Sequence, residues 1–153
     1  MRICGIDPGA HNGVGIWDTE TNRFEYADQL MLTEIGKGKY RFFDSEMDEW
    51  LTQHQACDVY VVENYIQRPR GMAGKGNEVW IEQYTAEVVG AVAMAARFLD
   101  AQYFKQEPSI LIAAYAWRGK DYKKDKTHIE DGMSHAYYWA RKRGLTSVHP
   151  PKV

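Results

Sequence analysis

The chain has 153 residues, 44% of them hydrophobic and 13% aromatic, with a formal net charge of −2. This length predicts one domain with a real core, the apolar content excludes a disordered chain, and no apolar run reaches the roughly 18 residues that a membrane span needs. A charge this near neutral exerts no global pull on nucleic acid, so a polyanionic partner would have to meet local basic patches.

Taken in chain order, "RICGID" reads as a short apolar strand ending at Asp7, with "PGAHNG" as a turn. "VGIWD" and "RFEYAD" follow as two strands joined by the hairpin signal "TETN". Tyr40, Phe43, Met47, Trp50 and Leu51 recur near helical spacing, which predicts an amphipathic helix over residues 38–54. "DVYVVEN" is a short continuous apolar run of strand formers, as expected of a strand buried on both faces, and it ends at Glu63. "YIQRPRGMAGKGN" is loop chemistry. An alanine-rich helix is predicted over 78–99, then a fifth strand in "AQYFKQ". "PSILIAAYAWRG" has proline at the start and glycine past the end of a short helix, and "DYKKDK" is a polar connection. A last helix runs over 127–143 and stops at Gly144. A strand meander followed by alternating helices and strands predicts an α/β fold, a mixed sheet flanked by helices, over residues 1–153.

Cys4 and Cys57 both sit in apolar segments, which predicts buried free thiols in a reducing cytoplasm. "MRICGID" lacks the pattern of a secretory leader, in agreement with a cytoplasmic location. Basic residues gather in three places: Arg68, Arg70 and Lys75 among glycines, the stretch from Arg118 to Lys126, and Arg141-Lys142-Arg143. For any one of them, solvated surface charge is the ordinary explanation; local binding patches are the functional one.

Asp7 and Glu63 each follow a predicted buried strand. In open α/β sheets sites gather beyond the carboxyl ends of strands, and paired carboxylates suit hard divalent cations. The plain alternatives are a turn aspartate in "DPG" and a strand-end ion pair. In "DKTHIEDG", Thr127 is placed to cap the last helix and Glu130 to complete a capping box. His128 and Asp131, three apart, share a helical face, whereas Glu130 points about 100° from Asp131. Asp125, outside the helix, reads as a solvated loop charge.

"GIDPG", "VVEN" and "HIEDGMSHA" resemble, in order and spacing, the signatures of RuvC-like Holliday junction resolvases of the RNase H-like superfamily. That family carries an aspartate after its first strand, a glutamate after its fourth and D-x-x-D or H-x-x-D on its final helix. The resemblance spans nearly the whole chain and implies an RNase H-like five-stranded mixed sheet. It implies Asp7, Glu63, His128 and Asp131 as catalytic and metal-binding residues. It further implies two Mg2+ or Mn2+ ions per site, about 4 Å apart, hydrolysing DNA phosphodiesters. Asp7 would bridge the ions, Glu63 and Asp131 would each hold one side, and His128 would bind metal or orient water.

The implied partners are a four-way junction and a second copy of the chain, with no membrane involvement. Arg68, Arg70 and Lys75 would contact phosphates on the substrate arms, with Lys120, Lys123 and Lys124 adding basic contacts. One of Lys120, Lys123, Lys124 or Lys126 would stabilise charge on the scissile phosphate. Tyr65 and Met72 are candidates to wedge a branch point or to anchor their own loop. Trp80, Tyr84 and Val88 are candidates for dimer contact, with intramolecular core as the favoured alternative.

Two departures from the family stand out: the loop "YIQRPRGMAGKG", and Gly132 where the family has alanine. The short, divergent chain would suit a phage-encoded member. The competing functions are a broader branched-DNA or flap nuclease and a non-catalytic branched-DNA binding module. An actin-like ATPase is not expected, since such proteins generally need a duplicated domain and a second phosphate loop, for which 153 residues leave no room.

Overall fold

The structure is a computed structural model that describes residues 1–53, 56–64 and 83–146. Three strands, β1 (Arg2–Asp7), β2 (His11–Asp18) and β3 (Arg23–Met31), form the antiparallel meander read from the hairpin signals. Asn22 turns the second hairpin at φ 54°, in the left-handed region that asparagine tolerates. β2 begins at His11, so part of the expected turn is already strand.

Residues 38–54 depart from the expected single helix. A separate two-stranded hairpin, β4 (Thr33–Gly36) and β5 (Lys39–Arg41), takes the first part, turning at Gly38 with φ 70°. Helix α1 (Glu46–Gln53) starts only after Ser45, whose hydroxyl accepts the backbone N–H of Asp48 at 3.2 Å. Local turn and cap chemistry outweighed the helical spacing, and Phe43, counted on the apolar face, is 69% exposed.

β6 (Val59–Glu63) pairs parallel with β1, and β7 (Gln102–Gln106) pairs parallel with β6, giving one five-stranded mixed sheet in the order β3-β2-β1-β6-β7. Burial of β6 on both faces is observed. Tyr60 and Val62 join Met47 and Trp50 of α1 and Val88, Val92 and Ala96 of α2 (Gln83–Phe98) on one side. Val59 and Val61 join Ala136, Tyr137 and Ala140 on the other. Val88 is therefore core, and Tyr84 packs edge-on against Tyr40 at 5.2 Å, which settles both in favour of intramolecular packing.

After a 3-10 turn (Pro108–Ile110) comes α3 (Leu111–Trp117), followed by Gly119 at φ 73° as its sequence predicts. "DYKKDK" is more than a connection: Tyr122–Asp125 form a one-turn helix, α4, because the Asp121 side chain accepts the Lys123 N–H. Helix α5 (His128–Lys142) closes the described chain, and Gly144 takes φ 68° just beyond it. Cys4 and Cys57 are buried free thiols. Among the described residues no helix is long and apolar enough to cross a membrane.

Candidate active site

Parallel pairing puts Ile6 opposite Val62, so the next residues, Asp7 and Glu63, leave the sheet side by side. Helix α5 brings the third and fourth candidates, and glycines set how closely it approaches. A Cβ on Gly13 would lie 1.5 Å from the His128 carbonyl oxygen, and one on Gly5 would lie 2.1 Å from that of Gly132. A Cβ on Gly132 would in turn lie 2.4 Å from the Gly13 oxygen. The first turns of α5 thus rest backbone to backbone on β1 and β2. Gly132, the departure from the family's alanine, is required by this contact.

The start of α5 is then locked. The Thr127 hydroxyl accepts the Glu130 N–H at 3.1 Å, the expected cap. The Glu130 side chain does not reach back as a capping box would; it takes ion pairs from Arg118 at 2.7 Å and Lys120 at 2.9 Å. Arg118 also donates to Ser134 Oγ at 2.8 Å and lies over the Phe24 ring. Read from sequence as part of a basic patch, Arg118 is a buried anchor for the helix.

With α5 seated, His128 Nδ1 lies 2.6 Å from Asp7 Oδ2. The His11 ring stacks on His128 with centroids 5.9 Å apart. Asp131 accepts a 2.8 Å hydrogen bond from the Tyr115 hydroxyl, and Lys126 Nζ stands 4.0 Å from its other oxygen. Glu63 Oε2 lies 3.1 Å from His135 Nε2. Asp7 and Asp131 are 8% and 4% exposed.

Burial pushes the Asp7 carboxyl above the ordinary carboxylate range; the hydrogen bond from His128 pulls it back and the charge of Glu63 pushes it further up. Asp131 is likewise raised, chiefly by burial, with the Tyr115 bond opposing and the charges of Asp7 and Glu63 adding. His128 is raised by its bond to Asp7. The charge of Glu63 thus adds to the upward shift of both aspartates, and a nearby cation would act in the opposite sense.

The donor set, three carboxylates and an imidazole, fits a hard divalent cation in type. As placed, His128 caps Asp7 and His135 engages Glu63, and among the described residues no group of three or more His, Cys, Asp or Glu side chains forms a metal-holding set. Of the four lysines, Lys126 is the one that reaches a site carboxylate. Lys120 is paired with Glu130, and Lys123 and Lys124 are exposed on α4, with Lys124 4.0 Å from Asp121. Asp125 is exposed and accepts the Asp121 N–H. Arg68, Arg70 and Lys75, with Tyr65, Met72 and Trp80, lie outside the described residues.

Sequence reasoning missed Tyr115 and His135. Nothing in "LIAAYAW" singles out the tyrosine, because its partner is distant in sequence. His135 had a signal: it lies four residues beyond Asp131 and seven beyond His128, on the same helical face. For Tyr115, the test is Tyr115→Phe. Losing the donor to a buried carboxylate is expected to lower stability by about 1–2 kcal/mol in urea unfolding followed by tryptophan fluorescence. An unchanged unfolding midpoint would show that the bond is not held in solution.

This architecture is the RNase H-like fold: a five-stranded mixed sheet, helices on both faces, and acidic residues at the ends of adjacent strands. No family model and no curated protein matches the sequence. Among solved structures, the fold matches RuvC of T. thermophilus in complex with a Holliday junction substrate, with a TM-score of 0.59 and 16% identity over 95% of this chain and 98% of that one. A second T. thermophilus RuvC structure matches at 0.58 and 16% with the same coverage. The fowlpox virus Holliday junction resolvase gives 0.49 and 15%, covering 94% of this chain and 97% of that one. The fold of this chain is that of RuvC.

Proposed function

We propose that this protein is a structure-selective DNA endonuclease that resolves four-way junctions by paired, metal-dependent phosphodiester hydrolysis. What supports the reading most is that Asp7 and Glu63 end adjacent parallel strands and Asp131 lies on the helix packed against that sheet, on a fold matched by RuvC. Asp7, Glu63, Asp131 and His128 would hold Mg2+ or Mn2+, two ions per site. When bound, such ions supply an activated water and stabilise charge on the departing oxygen.

The chain's own groups divide the remaining work. His128, bonded to Asp7, offers a nitrogen either to metal or to the attacking water. Lys126, beside Asp131 and raised chiefly by its hydrogen bond with Tyr122, keeps an ammonium at the crevice where phosphate charge would develop. Arg68, Arg70 and Lys75, with Lys120, Lys123 and Lys124, would bind backbone phosphates and set register rather than sequence preference. A reducing cytoplasm suits the two free thiols.

Paired nicks across a symmetric junction need two identical sites, hence a two-fold dimer. The face of α2 turned away from the core supports this. Ala86, Gly90, Met94 and Phe98 follow at steps of four, all exposed, with Met94 51% and Phe98 82% exposed. These residues, in place of Tyr84 and Val88, are the proposed contacts on this helix.

The test is to incubate the protein with a four-way junction, a fork and linear duplex, each with Mg2+ or Mn2+ and then with chelator. Metal-dependent cutting of the junction above the other substrates is expected. Absence of metal-dependent cutting of any branched substrate sinks the nuclease reading and favours a binding module. Equal cutting of fork and junction points to the broader branched-DNA nuclease, and equal cutting of linear duplex removes structure selectivity.

A further inference from the structure

His135 is fully buried, and both of its ring nitrogens are engaged: Nε2 lies 3.1 Å from Glu63 Oε2 and Nδ1 lies 3.2 Å from Gln106 Oε1. Glu63 and Gln106 are register partners at the ends of β6 and β7, so the imidazole spans two adjacent strands from a helix packed across them. A buried histidine is ordinarily a core residue with its polar atoms satisfied. Here the partner is a partly exposed glutamate at the end of β6, beside the strand that ends at Asp7.

A glutamate side chain has three rotatable bonds, and a carboxylate left to them would present its oxygens in many directions. The His135 ring cannot follow such motion. It is enclosed by α5 and the sheet, and Gln106, whose amide can offer either its oxygen or its nitrogen, secures its far side. One Glu63 oxygen is thereby fixed by a donor, which leaves the other to serve as a ligand. Held ligands bind cations better than mobile ones because less freedom is lost on binding.

We propose that His135 is a positioning residue: it fixes the Glu63 carboxylate for divalent cation binding, with Gln106 holding the ring. The inference rests on the metal-dependent reading above. It assigns a role to a group that touches neither substrate nor metal.

The readout is Mn2+ binding by the full chain without DNA, followed by titration calorimetry, with circular dichroism to verify folding. His135→Phe fills the space and removes the donor; it is expected to weaken Mn2+ binding about 10- to 100-fold. Junction binding in chelator should stay unchanged. His135→Gln, which keeps a donor, should recover part of the loss. A folded His135→Phe variant that binds Mn2+ like the wild type overturns the proposal, as does equal weakening in both variants. Should His135→Phe fail to fold, Gln106→Met frees the far side of the ring and is expected to weaken Mn2+ several-fold; no change there overturns the proposal too.

Wild-type protein that binds Mn2+ yet cuts no branched DNA defeats the nuclease reading alone, and the His135 variants still decide the positioning role. Wild-type protein that binds no Mn2+ defeats both.

Discussion

Asp7→Asn is expected to reduce junction cleavage by about 1,000-fold or more while leaving junction binding intact in chelator. Asp7 ends β1, the central strand, with Glu63 at the end of the adjacent strand and His128 bonded to it. Asparagine keeps the shape and removes the charge on which the proposed cation binding would depend. The substitution should also spare the fold. Because burial raises the Asp7 carboxyl above its ordinary range, the ionised form is less favourable in the folded chain than in the unfolded one at neutral pH. Removing that charge therefore costs no electrostatic stability, and the melting temperature of the metal-free variant should equal or exceed that of the wild type. Cleavage assays, gel-shift binding and thermal melts check the three parts. Retained turnover would mean that the acidic site is misassigned, and joint loss of binding and cleavage would point to damage beyond the site.

Gly13→Ala should produce the second large effect, although Gly13 carries no chemistry. The new methyl would meet the His128 carbonyl oxygen at 1.5 Å, and that atom belongs to a helix backbone with no rotamer to change. The N-terminal turn of α5 must then lift from the sheet, taking His128 and Asp131 with it. Overpacking of this kind costs about 1–3 kcal/mol, and a displacement of about 1 Å at a catalytic group costs about 100-fold in rate. Gly36→Ala is the control: its Cβ would meet only the flexible Lys39 side chain at 3.6 Å, so a change within about 0.5 kcal/mol is expected. Urea unfolding and junction cleavage measure both. A Gly13→Ala protein as stable and active as the wild type would show that α5 does not pack this tightly in solution.

The parts of the site legible in sequence are those with local causes. Asp7 and Glu63 announce themselves as charges ending apolar strands, and Thr127 as a cap that phases His128 and Asp131 onto one face. Where local causes competed, the reading failed. The aromatic spacing of residues 38–54 suggested one helix, yet Gly38 and Ser45 divided it into a hairpin strand and a shorter helix. The capping box assigned Glu130 to its own helix, but Arg118 and Lys120, brought in by α3 and the segment after it, were the stronger partners. Tyr115 could not be anticipated, because its role exists only once α3 stands against α5.

By itself, then, the sequence determined the elements that bear Asp7, Glu63, His128 and Asp131, since strand ends and helix caps are decided by a few neighbouring residues. Only the tertiary structure decided that those elements meet. The parallel pairing of β1 with β6 and the glycine contact of α5 on β1 and β2 join residues as far apart as Asp7 and His128, and no local pattern encodes such pairs. The same contacts decided which groups steady the acids, because His135 and Tyr115 acquire their partners only when helix and sheet close to hydrogen-bonding distance.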